Sequence, residues 1–539
     1  MSSERTRMMK RRGGGRSATA TQPSSSRAYR FIAATSLSLA FLDPTRLLHA
    51  QAYISTGLPA HVHRAYLRKL TDDICNTDPG TLTTQEVSNT AMLMSAWASA
   101  PKKLRESGKE RAMKVENLLK RIIDERRAGN VEAIARTEDY NTVMKTWASS
   151  GEKSAAAFRV EQILINMQDM YASGDQDVQP NLESFQTAIE AWTQATDTDT
   201  NALARATQIL DWMTKLYLSS ANDHAMPHTS CFYTILKSWA ASGKLEAPIM
   251  SEHLLMQMQH LQTKHEIQSA KPDTKCFNIV LSNWLKSRDI SAEKRIRQIF
   301  EYMDDCRRRG AMDIKPDAST YNIVIASIAP AVKEHIDMGG ARRADKILAR
   351  LERGYLEGDK SLMPDTILYN QVIDYWAKTQ SVSGHFLKAR DVLDRQISMY
   401  ESGGVRKCRP DVTGYTSVIG ACASTSGSKL ERRRSFNLAH ETFMECCKAK
   451  YTQPNDVTYG LMFKAVGRLL PEKEERDRYA KVLFGLCCDD GCLGEMAFKR
   501  MLEAMSDELL NELSISRNYA ELPEEWKSNA ANAANQRKR

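Results

Sequence analysis

Glycine is sparse in this chain, at 26 of 539 residues, and nothing sustains the apolar–polar alternation of a strand. Sheet-rich folds are set aside on that ground. No glycine loop of the GxxxxGK[ST] or GxGxxG type occurs, so the common phosphate-cradling chemistries have no seat. The His-x-Glu and Cys-x-x-Cys ligands of a nucleobase deaminase are missing too. Eleven cysteines form no regular framework, with Cys446-Cys447 and Cys487-Cys488 adjacent and Cys231, Cys276 and Cys422 inside helical patterns. They read as free thiols in a reducing compartment. Cys487, Cys488 and Cys492 lack metal-pair spacing and have no histidine within thirty residues, so neither metal nor cofactor is expected. The apolar run Phe31 to Leu42 is twelve residues, ends at Asp43-Pro44, and is too short to cross a bilayer. No membrane insertion is expected.

What the chain has is a repeated phrase. KPDTKCFNIVLSNW, KPDASTYNIVIASI, MPDTILYNQVIDYW and RPDVTGYTSVIGAC begin at Lys271, Lys315, Met363 and Arg409, a period of 44 to 48 residues. Weaker copies begin at Gln179, Met226 and Gln453, with fainter ones at Glu138 and Val87. A fixed period of this size means a repeat architecture, in which the object of interest is a long surface and not one pocket. Proline stops one helix, and the Asp or Asn after it is a strong cap for the next. Tyr321, Val324, Ile325 and Ile328 then mark the apolar face of a first helix, and Ala344, Ile347, Leu348 and Leu351 that of a second. Trp97, Trp147, Trp192, Trp239, Trp284 and Trp376 close first helices and are expected to pack between adjacent repeats.

A charge excess is missing where nucleic acid would need one. The chain carries +9, but residues 1–70 hold twelve Lys or Arg against two acids. The other 469 residues carry 63 basic and 64 acidic side chains, a nearly neutral body. Binding by phosphate neutralisation alone is therefore disfavoured. Arg307-Arg308-Arg309, Arg342-Arg343 and Arg432-Arg433-Arg434 are local exceptions, expected on solvated faces of second helices.

Pro-Asp, then two or three residues, Tyr-Asn and an apolar helix resembles the pentatricopeptide repeat (PPR) family, over about residues 137–490. Family units run about 35 residues, so this chain resembles the long-unit organellar proteins of some algae, its extra residues following the second helix at 172–178 and 262–270. The resemblance implies an all-α, right-handed helical-hairpin repeat solenoid. The chain then divides into a targeting leader at 1–70, a helical region with a degenerate repeat at 71–136, an array at 137–490, and a capping helix and tail at 491–539. Phe498, Met501, Leu502 and Met505 would cover the last repeat, LPEEW from Leu522 opens a short final segment, and 530–539 is expected to be disordered.

The resemblance also implies single-stranded RNA as the partner, one base to each repeat. The reading residues would be the one after each first-helix aromatic and the one just after the next proline. Asn141 with Asn181 favours a pyrimidine, while Gln186 with His228 and Tyr233 with Asp273 have no assignment. Asn278 with Asp317, Asn322 with Asp365, and Asn370 with Asp411 each resemble the uracil pair, and Thr416 with Asn455 the adenine pair; Gly460 reads nothing. The expected core is pyrimidine-N-N-U-U-U-A. Asp317, Asp365 and Asp411 would also serve as caps in a solenoid that never met RNA. Asn278, Asn322 and Asn370 recur on the second turn, where no cap is needed. A scaffold holding a protein partner, or a subunit of an organellar ribonucleoprotein complex, is the rival reading.

The leader is basic and rich in Ser, Thr and Ala, which suits mitochondrial import. Its apolar run followed by Ala50-Gln51-Ala52-Tyr53 also resembles a bipartite plastid leader, which stays the alternative. Nuclease or deaminase domains of the wider family would need more chain than follows residue 490, so no enzyme is expected. Organellar RNA-processing or ribosomal proteins are the further partners in view.

Overall fold

The structure, a computed structural model, describes residues 60–99, 107–287, 289–311, 313–328, 338–379 and 384–530. Among the described residues there are 21 α-helices and no strand. They fall into two compact units, 1–146 and 147–539. The leader's apolar run, its Ala50–Tyr53 site and the tail from 531 lie outside the described residues.

The first unit contains α1 (Ala60–Cys75), α2 (Thr84–Ala98), α3 (Gly108–Arg127) and most of α4 (Thr137–Ala148). The boundary expected at residue 70 falls inside α1, because the basic composition of the leader continues into a helix whose Leu67, Leu70 and Ile74 are buried. Trp97 donates from Nε1 to Thr71 at 2.8 Å, tying α2 to that helix. Capping boxes at Thr83/Glu86 and Ser107/Glu110 start α2 and α3. Glu125, fully buried, accepts from Gly80 N and pairs with Arg121, which in turn reaches the Ile74 and Asp78 carbonyls.

The second unit is a stack of helical hairpins following α5 (Lys153–Ala172). The hairpins are α6 (Leu182–Gln194) with α7 (Ala202–Leu218), α8 (Thr229–Ser242) with α9 (Ala247–Lys264), and α10 (Thr274–Ser287) with α11 (Ala292–Arg308). Then come α12 (Ala318–Ser327) with α13 (Met338–Leu356), α14 (Thr366–Lys378) with α15 (His385–Glu401), α16 (Val412–Ala423) with α17 (Lys429–Lys448), and α18 (Asp456–Leu469) with α19 (Lys473–Asp489). Each first helix packs on its own second helix, on the preceding second helix and on the next first helix, ending with α20 (Glu495–Ala504) against α18. A short α21 (Asp507–Glu512) follows, and the LPEEW segment folds back so that Leu493 N–H donates to Trp526 O at 2.9 Å. Phe498, Met501 and Met505 are buried as expected of a cap, while Leu502 is half-exposed.

The residues that lengthen each unit form a recurrent structure. Several second helices end at a left-handed residue: at Gly174, Gly310, Gly358 and Gly404 φ is positive and a β-carbon is disfavoured, while Ser220 and Glu266 take the same place after α7 and α9. Asp175 N–H then donates back to Met170 O at 3.1 Å, the Schellman closure. A 3-10 turn follows in four units and buries Val178, Ala270, Leu362 or Cys408 directly ahead of the x-Pro step. The linker is stitched to its neighbour: Ser269 Oγ donates to Pro227 O at 2.7 Å and Asn222 Nδ2 to Pro180 O at 2.9 Å.

Second helices meet one another through ion pairs. Arg205 reaches Glu161, Arg295 reaches Glu252, Arg343 reaches Glu293 and Arg433 reaches Glu475, each across one hairpin. Trp192 and Trp284 donate from Nε1 to those same Glu161 and Glu252 carboxylates, at 2.9 and 3.0 Å. The six tryptophans are all buried. Asp304 of α11, 3% exposed, is the most crowded junction, accepting from Arg350 of α13 and from Arg307 and Arg308 of its own helix. Burial pushes its carboxyl up, but Arg350, Arg308 and Arg307 outweigh that and hold it below the ordinary value.

A depressed native value means stabilisation that is complete above the unfolded carboxyl's value of about 4 and lost as pH falls through the native one. Asp304→Asn is expected to lower the unfolding free energy by about 1–3 kcal/mol at pH 7. Urea denaturation at descending pH will show the gap between wild type and variant closing below about pH 4.

Candidate nucleic-acid interface

The first helices share one register. Asn181, His228, Asp317, Asp365, Asp411 and Asn455 each cap the helix that follows, accepting from a backbone N–H two or three residues on. Asp273 does the same for Cys276 N at 2.9 Å. Apolar residues then turn inward, and Tyr321, Val324, Ile325 and Ile328 are all buried. The fifth helical residue sits at the edge of that buried face, half in solvent at Asn278, Asn322, Asn370 and Thr416.

Three of the sequence-derived pairs are brought together directly. Asn278 Nδ2 donates to Asp317 Oδ1 at 3.0 Å, Asn322 Nδ2 to Asp365 Oδ2 at 3.2 Å, and Asn370 Nδ2 to Asp411 Oδ1 at 2.9 Å. Thr416 is joined to Asn455 indirectly. Its hydroxyl lies 2.9 Å from that of Thr458, which donates to Asn455 Oδ1 at 3.0 Å. Asn141 is buried in the first unit, and Asn181 caps α6 in the second. Gln186 is linked to His228 through Ser230, with 3.2 and 2.9 Å contacts. No hydrogen bond among the described residues joins Tyr233 to Asp273.

The Asn–Asp pairs answer the puzzle of asparagine on a second turn: each amide bridges two hairpins. They are not exhausted by that bridge. Each Asn retains an amide hydrogen, and among the described residues Asp317 Oδ2 and Asp411 Oδ2 accept nothing. An N–H beside a carboxylate oxygen complements the carbonyl and the ring N–H of uracil. The capping carboxylates lie at helix N-termini, where the backbone dipole favours negative charge. Around them the first helices present mainly uncharged groups, such as Ser319, Ile323, Gln371, Thr413 and Ser417. Arg307, Arg308, Arg343 and Arg433 are instead committed to carboxylates on the second helices.

Two features escaped the sequence. One is the third residue of α12 and of α18, Thr320 and Thr458, whose hydroxyl reaches back to the preceding hairpin. The other is Gly460. A β-carbon there would stand 3.2 Å from Met496 Cε and 3.4 Å from Ala497 Cα, and one at Gly467 3.3 Å from Ala504 Cα. Glycines seven apart on α18 face alanines seven apart on α20, so the row of half-exposed positions ends where α20 covers it. The shared spacing was present in the sequence as a signal. No family model matches the chain, and no curated protein is significantly similar to it.

Gly460→Asn, which installs the residue found at the equivalent position of α10, α12 and α14, is expected to cost about 1–3 kcal/mol through overpacking. Chemical denaturation of the full chain checks it; equal or higher stability would mean α20 does not cover that face.

Proposed function

We propose that the second unit binds single-stranded RNA along the row of first helices, one base to each hairpin, as the pentatricopeptide resemblance implies. The observation that supports this best is one cross-hairpin hydrogen bond made three times in succession, at Asn278–Asp317, Asn322–Asp365 and Asn370–Asp411. Each of these pairs keeps an amide N–H beside a carboxylate, the complement of uracil. Thr416 with Asn455 takes adenine, so the core read by the second unit is N-N-U-U-U-A on a right-handed array. The protein works by occupancy, without chemistry of its own: it masks a site, blocks an exonuclease or holds RNA open for other factors. The basic segment 1–70 directs it to the mitochondrion, the plastid being the alternative, where RNA-processing or ribosomal proteins would be its company.

A second reading has its own support. The same three bonds join neighbouring hairpins, and the body is nearly neutral, which favours a scaffold for a protein partner. Selection from a random single-stranded RNA pool separates the two. The full chain is expected to enrich a U-rich core followed by A. The triple variant Asn278→Ala, Asn322→Ala, Asn370→Ala, still folded by circular dichroism, is expected to lose about tenfold in affinity for that core, about 1.4 kcal/mol. No enrichment by wild type at moderate salt would leave the scaffold reading.

A further inference from the structure

Each of the three Asn–Asp pairs has a further neighbour, the third residue of the helix that follows. Thr320 in α12, Leu368 in α14 and Gly414 in α16 occupy this place, all of them buried. Thr320 accepts the Asp317 N–H at 3.1 Å and donates its hydroxyl to Asn278 Oδ1 at 2.6 Å. The Asn278 amide is therefore held at both ends, Nδ2 by Asp317 and Oδ1 by Thr320. Leu368 and Gly414 have no hydroxyl to offer. Correspondingly, Asn322 Oδ1 and Asn370 Oδ1 are buried with no hydrogen-bond partner. At Gly414 an added β-carbon would stand 2.9 Å from Asn370 Oδ1, too close for a side chain unless the amide shifts.

We infer that this third residue sets how strictly each pair tells uracil from cytosine, Thr320 making Asn278–Asp317 the strict site and Leu368 and Gly414 leaving the next two permissive. The inference rests on the RNA reading proposed above. Uracil offers a carbonyl acceptor beside a ring N–H donor, whereas cytosine offers an amino donor beside a ring-nitrogen acceptor. An amide presenting N–H next to a carboxylate matches uracil, and the same amide turned over presents its oxygen to the cytosine amino group. Turning Asn278 breaks two hydrogen bonds, to Asp317 and from Thr320. Turning Asn322 or Asn370 breaks one and frees an acceptor that was buried without a partner. A difference of one hydrogen bond corresponds to about a fivefold change in the U:C ratio. Thr320 acts through Asn278, as a positioning residue.

The test uses the full chain and RNA randomised between U and C at the three core positions, comparing wild type with Thr320→Val, Thr320→Ser and Leu368→Thr. Wild type is expected to show a U:C ratio about fivefold higher at the base facing Asn278–Asp317 than at the other two. Thr320→Val lowers that ratio to their level, Thr320→Ser retains it, and Leu368→Thr raises the ratio facing Asn322–Asp365, the remaining positions staying put. Threonine is smaller than the buried Leu368 it replaces, so it meets no steric bar there. If Thr320→Val unfolds the protein, Leu368→Thr decides. Equal ratios at all three positions in wild type, or no change with Leu368→Thr, overturn the inference and leave the RNA reading standing. Absence of any uracil enrichment overturns both.

Discussion

The polar side chain just after each proline is the interaction on which the second unit depends. Proline ends the incoming linker, and the next residue closes the open N-terminus of a first helix, a cap worth about 1 kcal/mol at each site. In the three central units the same carboxylate takes an amide from the preceding hairpin, so that starting a helix and stacking it on its neighbour become one event. Stacks of this kind draw stability from nearest-neighbour terms, and the cap here contributes both within a unit and between units.

The second helices use a different currency. Their charges are paired across hairpins, and the Glu161 and Glu252 carboxylates each take an indole N–H as well as an arginine. This explains how a body with about a quarter of its residues charged can be nearly neutral yet ordered. It also divides the labour between layers. Ions fasten the second helices, while hydrogen bonds between neutral amides, hydroxyls and caps organise the first.

Much of this architecture was legible in the sequence because its signals are local. Pro-Asp steps, helical spacing of apolar residues and a tryptophan closing most first helices need no knowledge of a neighbour. What escaped detection depends on a partner one period away. The amide of Asn278 finds its acceptor 39 residues later, so composition gave it no structural role. The boundary at residue 70 met a related limit: leader-like composition overlaps α1, whose buried Leu67, Leu70 and Ile74 and bond from Trp97 to Thr71 tie it to its neighbours. The sequence places the added residues after the second helix and assigns them no structure of their own, yet they carry the Schellman closure and, in four units, a buried 3-10 residue. Of the candidate site, the residue types and register could be read, but neither the hydrogen bonds that join three of the pairs nor the role of the following helix could.

The unpaired carbonyls at Asn322 and Asn370 bear on what the row is for. A buried acceptor without a partner costs about 1–3 kcal/mol, and two such groups are a substantial fraction of a marginal stability. The remedy lies within the same fold: a threonine at the third helical position satisfies the amide at Asn278 without disturbing the cap. Hairpin stacking therefore does not require Leu368. A scaffold whose asparagines served only to join hairpins would gain by placing threonine there as well. That two of the three amides are left half-satisfied, beside carboxylates already fixed by their helices, is easier to understand if those amides must remain able to turn toward something the structure does not itself supply.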